Sequence, residues 1–183
     1  AAIINQSRFR GIRTLILSGE RGEESAARAK YPIFEPDRAD LRNGKQFTRH
    51  VDRLRPIRDW KEQQVWDIIK RYRIRVHPCY YLGWARCSCK FCIFGNKNQF
   101  ASAALISPAQ IAEVVACEKE FNCTIKRNTD LPTLIASGTP YQTITEELKR
   151  LATGYNYDQP VILPPDEPWI LPAGAFGENC GAI

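Results

Sequence analysis

Four of the chain's seven cysteines, Cys79, Cys87, Cys89 and Cys92, fall within fourteen positions of the stretch HPCYYLGWARCSCKFCIFG, residues 77–95. Their spacing is C-x7-C-x-C-x2-C. Cys89 and Cys92 form a C-x-x-C pair, whose sulfurs reach one tetrahedral ion from a tight turn, and two further thiols nearby complete four-coordination. Soft thiolate donors accept zinc or an iron–sulfur cluster, and spacing alone does not choose between them. The competing reading treats reduced cysteines as small buried hydrophobes, the role assigned to Cys117 and Cys123 on a later helix. His77 stands directly before Pro78, where a lone histidine is as often a hydrogen-bonded structural residue as a ligand. It stays outside the ligand set. The interleaved Tyr80, Tyr81, Trp84 and Phe91 read as packing around the loop, with base stacking on Trp84 as the alternative.

A second cluster of chemistry-bearing residues is the turn Ser18-Gly-Glu-Arg-Gly-Glu-Glu-Ser25. Thr14 to Ser18 reads as a short buried strand running into Gly19, and Glu23 to Lys30 as the start of a helix. In α/β folds ligands gather at the carboxyl ends of strands, and free N–H groups at a helix N-terminus favour anions. Arg21 adds a bidentate donor for phosphate or sulfate. The turn matches neither the phosphate loop ending in Gly-Lys-Ser/Thr nor the dinucleotide fingerprint, and an ordinary connecting turn is the alternative.

The elements that must position these residues alternate. Residues 32 to 46, with two prolines and mixed charges, are expected to form an exposed loop. Val51 to Ile57 reads as an edge or terminal strand. Asp59-Trp-Lys-Glu62 has the capping-box pattern ahead of Val65, Ile68, Ile69 and Tyr72, so the spacing predicts a helix over about 60–72. The cysteine stretch follows as an irregular loop. Ser107-Pro-Ala-Gln110 starts a helix that runs to about Phe121, and Thr143 to Ala152 predicts another, stopped by Gly154. From Asp158 onward five prolines predict an extended tail over the surface. The expected organisation is a nucleotide-binding part with the Cys-rich loop over 1–100, a helical segment over 101–157 and the tail over 158–183. Strands separated by helices favour an α/β layer fold, with fewer strands than a complete parallel sheet needs.

Composition bounds the class. The chain has 183 residues, 44% apolar and 25% charged, which is a globular balance. No apolar run reaches 18 residues and charges run through the first thirty positions, so neither a membrane span nor a secretory signal is expected, and the expected location is cytoplasmic. An odd number of cysteines argues against a fully paired disulfide framework. Residues 1–100 hold 21 Lys/Arg against 10 Asp/Glu, and residues 101–183 hold 5 against 10. The basic part is expected to face an anion, a phosphorylated small molecule or nucleic acid, unless it is simply a solvated face. The chain starts at Ala1 and has no methionine, which fits an internal piece of a longer protein, incomplete at its N-terminus.

In order, the motifs are Gly19-x-Arg21-x-x-Glu24-Ser25-x-x-Arg28, then Arg55-Pro56-Ile57-x-x-Trp60-x-x-x-x-Val65-Trp66, then His77-Pro78-x-Tyr80-x-x-Gly83-x-x-Arg86-x-x-Cys89-x-x-Cys92. Over about residues 13–95 this set resembles the phosphoadenosine phosphosulfate (PAPS) reductase family of the adenine-nucleotide alpha-hydrolase-like superfamily, including its phage and DNA-phosphorothioation relatives. The resemblance implies a Rossmann-like sheet binding an adenine nucleotide, ATP or PAPS. It implies nucleotide contacts from Gly19, Arg21, Glu24, Ser25 and Arg28. It also implies a 4Fe-4S cluster on Cys79, Cys87, Cys89 and Cys92, with zinc as the alternative. The family's Ser-Gly-Gly-Lys-Asp-Ser pyrophosphate loop is absent. Its reductases end in Glu-Cys-Gly-x-His; here Glu178-Asn179-Cys180-Gly181 has one inserted residue and no histidine, leaving Cys180 as the candidate nucleophile. The expected function is sulfur transfer or sulfonucleotide reduction, with a sulfur-donor protein as a further partner. The alternative is a non-catalytic nucleic-acid-binding or regulatory module with a structural metal site.

Overall fold

The structure is a computed structural model, and it describes residues 6–9, 11–44 and 48–177. The fold class is α/β, as expected. The chain divides into two units, Ala1–Val65 and Trp66–Ile183. The cysteine loop, grouped above with residues 1–100, lies in the second.

The first unit is built on a three-stranded sheet of order β1-β3-β2, with β1 at Arg13–Leu17, β2 at Phe34–Pro36 and β3 at His50–Leu54. β1 and β3 run parallel, from Arg13 beside His50 to Leu17 beside Leu54, and β2 lies antiparallel to β3. Four expectations change here. The Val51–Ile57 segment supplies the central strand, not an edge: hydrogen bonding on both sides leaves Val51 with no exposure. Residues 32–46 hold β2, which ends on Pro36 at the sheet edge, where a missing N–H is tolerated. β1 is itself an edge strand, and alternation leaves Leu15 and Leu17 exposed where a buried strand was expected. The helix expected from Glu23 to Lys30 is replaced by two single 3-10 turns, Gly22–Glu24 and Arg28–Lys30. Ser25 breaks it: its backbone is extended, and its hydroxyl accepts the Arg28 N–H at 3.1 Å, the local competition that keeps serine out of helix interiors.

Helix α1 spans Glu62–Arg71, within the range the spacing predicts. Its cap is displaced from the expected box. The Lys61 N–H donates to Gln64 Oε1 at 2.8 Å, the Glu62 N–H donates to Glu23 Oε2 at 2.6 Å, and Asp59 pairs with Arg58 instead.

The second unit is helical: α2 at Pro78–Tyr81, α3 at Lys97–Ile106, α4 at Pro108–Glu120, α5 at Leu131–Ala136 and α6 at Glu146–Thr153. α4 and α6 fall where expected. α3 escapes sequence reading because it buries residues on several faces, Gln99 to Ala103 and Ile106, so no stripe of period 3.6 marks it. Ser107 does not cap α4 with its side chain. Both Ser107 Oγ and Gln110 Oε1 accept from Lys90 Nζ, at 2.6 and 2.8 Å. One core gathers Leu82, Trp84, Ala103 and Ile106, another Phe100, Ile111 and Leu131, and Phe91 packs against both. Among its described residues the tail has no helix or strand, but it is more than a surface strap: Leu163 is buried, and the Trp169 indole N–H donates to the Ile74 carbonyl at 3.0 Å. No helix among the described residues is long and apolar enough to cross a membrane.

Candidate functional site

In the first unit, the carboxyl ends of the parallel pair bring two segments to one edge. β1 delivers Ser18 to Arg21 and β3 delivers Arg55 to Arg58. The Ser18 N–H donates to the Leu54 carbonyl at 3.1 Å, and the Gly22 N–H to the Arg58 carbonyl at 2.8 Å. Arg55 is 5% exposed and fully engaged: it donates to Glu20 at 2.5 Å and the Pro32 carbonyl at 2.8 Å, pairs with Glu35 at 2.7 Å, and lies over the Tyr31 ring. Its hydrogen bond holds the Glu20 carboxyl below the usual range. Arg55 is therefore structural.

Arg21 Nη1 donates to Glu23 Oε2 at 2.9 Å, and Arg21 Nε lies 3.7 Å from Glu24 Oε1. Arg28 pairs with the other oxygen of Glu24, and its side chain is 41% exposed against 14% for Arg21. Two guanidinium groups thus flank one carboxylate. A Cβ at Gly19 would meet only Ile57 Cδ1, at 3.8 Å, so packing within the fold does not demand glycine there.

In the second unit, the cysteine stretch is regular at its start. His77 caps α2, its Nδ1 accepting the Cys79 N–H at 3.1 Å, and Pro78 takes the first helical position. Gly83, at φ 105°, reverses the chain, and the Trp84 N–H returns to the Cys79 carbonyl at 3.0 Å. The reversal brings Cys87 back beside α2, so that a ring nitrogen of His77 and the sulfurs of Cys79 and Cys87 lie within 4.8 Å of one another. Burial, and next the adjacent Cys87 thiol, push the Cys79 thiol above its usual range. These three residues also line a cavity of about 280 Å³ with Trp84, Arg86 and Lys90.

Cys89 and Cys92 stand outside this group, and among the described residues no other set of three His, Cys, Asp or Glu side chains gathers. Cys89 is exposed and Cys92 half-buried. Their part of the loop is held by Phe91 in the cores and by Lys90, whose ammonium burial pushes below the usual lysine range. Of the four cysteines singled out by spacing, the structure brings together Cys79 and Cys87. It adds His77, set outside the ligand set on sequence grounds, whose signal was its position two residues before Cys79. Cys180 lies outside the described residues.

Bonds of about 2.3 Å to sulfur and 2.0–2.1 Å to nitrogen, at tetrahedral angles, put donor atoms roughly 3.5–3.8 Å apart. The His77/Cys79/Cys87 group therefore closes on one ion with small side-chain rotations. A four-thiolate cluster finds only two of its four sulfurs in that group.

Residues 6–94 match the family model described as the phosphoadenosine phosphosulfate reductase domain. An uncharacterised 37.8 kDa protein of Escherichia phage 186 is 34% identical over 64% of this chain and 35% of its own length. Adenosine 5'-phosphosulfate reductases of Allochromatium vinosum and Neisseria meningitidis are each 32% identical over 42% of this chain, covering 26% and 28% of their own lengths. The chain thus spans between about a quarter and a third of the length of these curated relatives. No solved structure matches.

Proposed function

We propose, on the match of residues 6–94 to the phosphoadenosine phosphosulfate reductase domain with its adenine-nucleotide alpha-hydrolase-like fold, that the chain binds an adenine nucleotide and acts on sulfur carried by it, in sulfonucleotide reduction or sulfur transfer. The observation that carries the reading is the motif-bearing edge of the parallel pair. In it, Gly19, Arg21, Glu24, Ser25 and Arg28 follow β1, within the residues that match the family. A phosphate or phosphosulfate at this edge takes Arg28 from Glu24, since Arg28 is the more exposed of the two arginines on that carboxylate. Arg21, held by Glu23 as well, orients Glu24 and adds positive potential. Gly19 supports the same reading, because its missing side chain leaves open space that the fold does not itself fill.

For reduction, Cys180 is the thiol that would act: its thiolate attacks the sulfate sulfur, an S–S bond forms, the S–O bond to the nucleotide phosphate breaks, and the nucleotide leaves with the electron pair. The metal centre that accompanies this chemistry is a 4Fe-4S cluster if all four thiols of the loop are recruited, and zinc if fewer are. Of the four, only Cys79 and Cys87 stand together.

Titration calorimetry with ATP, adenosine phosphosulfate and PAPS tests the reading. One of the three is expected to bind, and Arg28→Ala to weaken it about tenfold or more, the loss of one charge-assisted hydrogen bond. Gly19→Ala should weaken binding while leaving the melting temperature unchanged or slightly raised. Absence of binding to all three nucleotides at millimolar concentration refutes it.

A further inference from the structure

We infer that the second unit holds a single tetrahedral metal ion, zinc in class, on His77, Cys79 and Cys87, with the fourth position open to the adjoining cavity. The three donors come from two chain segments that local structure already fixes. α2 sets His77 and Cys79 two residues apart, and the turn at Gly83, closed by the Trp84 N–H on the Cys79 carbonyl, returns Cys87 to them within 4.8 Å. The Cys87 N–H also donates to the Tyr80 hydroxyl at 3.4 Å, and the Tyr80 ring packs edge-on against Trp66, so the returning segment is held by more than its thiol. Two thiolates and one imidazole are a soft, borderline donor set that selects zinc over hard cations.

The ligating nitrogen follows from the cap. Nδ1 of His77 accepts the Cys79 N–H, so its lone pair already faces that side and the ring proton sits on Nε2. Binding through Nδ1 exchanges one backbone hydrogen bond for a metal bond, a favourable trade by a wide margin. Binding through Nε2 would require the proton to move to a nitrogen that faces a donor.

Three protein donors leave one coordination position, the arrangement of sites that accept an exchangeable ligand. The same three residues line the cavity of about 280 Å³, whose wall carries Arg86 and Lys90. Positive charge beside a soft ion favours a small anion with a soft donor atom, such as a thiolate or hydrosulfide, as the fourth ligand.

Cobalt(II) substitution of the whole chain tests this, with zinc competition and metal analysis. One equivalent of metal per chain is expected, with thiolate-to-cobalt charge transfer and intense tetrahedral d–d bands that shift when a small thiol is added. Cys87→Ser, at an exposed position where misfolding is not at issue, and Cys79→Ser should abolish the charge-transfer band. His77→Ala should weaken zinc at least about tenfold, while Cys89→Ser and Cys92→Ser leave it unchanged. Brown, iron- and sulfide-containing protein that loses its colour in Cys89→Ser or Cys92→Ser overturns the inference. So does zinc that survives Cys87→Ser, or reduced protein that takes up no metal. A cobalt spectrum indifferent to added thiol overturns the open position. None of these readouts involves a nucleotide, so failure here and failure of nucleotide binding are separate outcomes.

Discussion

Single side chains here are mostly occupied by the protein itself. The basic excess of the first hundred residues suggests an open cationic surface. In the structure Arg21 and Arg28 share Glu24, Arg55 is buried between Glu20 and Glu35, Arg53 pairs with Asp37 at 2.6 Å, and Arg42 bridges Asp40 and Asp52 at 2.7 and 2.5 Å. Charge counts alone could not reveal this, because which acid each arginine meets, near in sequence as Glu24 or distant as Glu20 and Glu35, is a property of the folded chain. It also fixes a pH response. The hydrogen bond from Arg42, with N–H groups of Val51 and Arg42, lowers the Asp40 carboxyl to about 2. The same arginine lowers Asp52. A carboxyl depressed in the folded state contributes stability that is fully present above its unfolded value of about 3.9 and is lost as pH falls toward about 2. Asp40→Asn should therefore melt below wild type at neutral pH, with the gap closing as pH falls from about 4 to 2. A gap that persists unchanged at pH 2 would show that Asp40 acts by packing alone.

At the scale of elements, the caps are where reading and structure part most often. The residues of a capping box were legible before α1 and α4, and both helices form, yet the partners differ. Glu23 and Gln64 serve α1, and Lys90 takes the polar groups that open α4. Capping chemistry signals that a helix begins, whereas the choice of partner depends on which polar groups tertiary folding brings near. Glu118 shows the converse, a helical residue with no signal of its own that organises the next connection. It is buried, and its two carboxylate oxygens accept the N–H groups of Ile125 and Leu131, each at 2.9 Å, fastening the loop between α4 and α5. Glu118→Ala leaves two amides without that acceptor and should cost about 2–3 kcal/mol in urea denaturation. A cost below about 0.5 kcal/mol would mean that water replaces the carboxylate without penalty.

For the whole molecule, the C-terminal tail is the least legible part and belongs firmly to the second unit. Proline spacing predicts an extended tail, and none of its described residues lies in a helix or strand, but that spacing says nothing of where the tail docks. Arg73 donates to the carbonyls of Pro164 and Glu167, Arg75 pairs with Glu167 at 2.7 Å, and the Gly174 N–H donates to the Tyr80 carbonyl at 2.8 Å. A Cβ at Gly174 would lie 2.1 Å from the Trp84 carbonyl oxygen and 2.9 Å from that of Tyr80. Gly174→Ala should displace the tail, destabilise the unit by about 1–3 kcal/mol and raise proteolysis at the tail, as limited digestion with mass spectrometry would record. Unchanged protection would place the tail's hold elsewhere. The sequence by itself determined the α/β class, the helices with an apolar stripe, the match of residues 6–94 to a known domain family and the loop where thiols concentrate, since each follows from residue type and short-range spacing. Only the tertiary structure decided that β3 is central, that Arg42, Arg53 and Arg55 are paired, and that His77 stands with Cys79 and Cys87 while Cys89 and Cys92 do not. Strand order, ion pairing and metal geometry depend on distances across the fold, and spacing along a chain does not encode the turn at Gly83 that sets them.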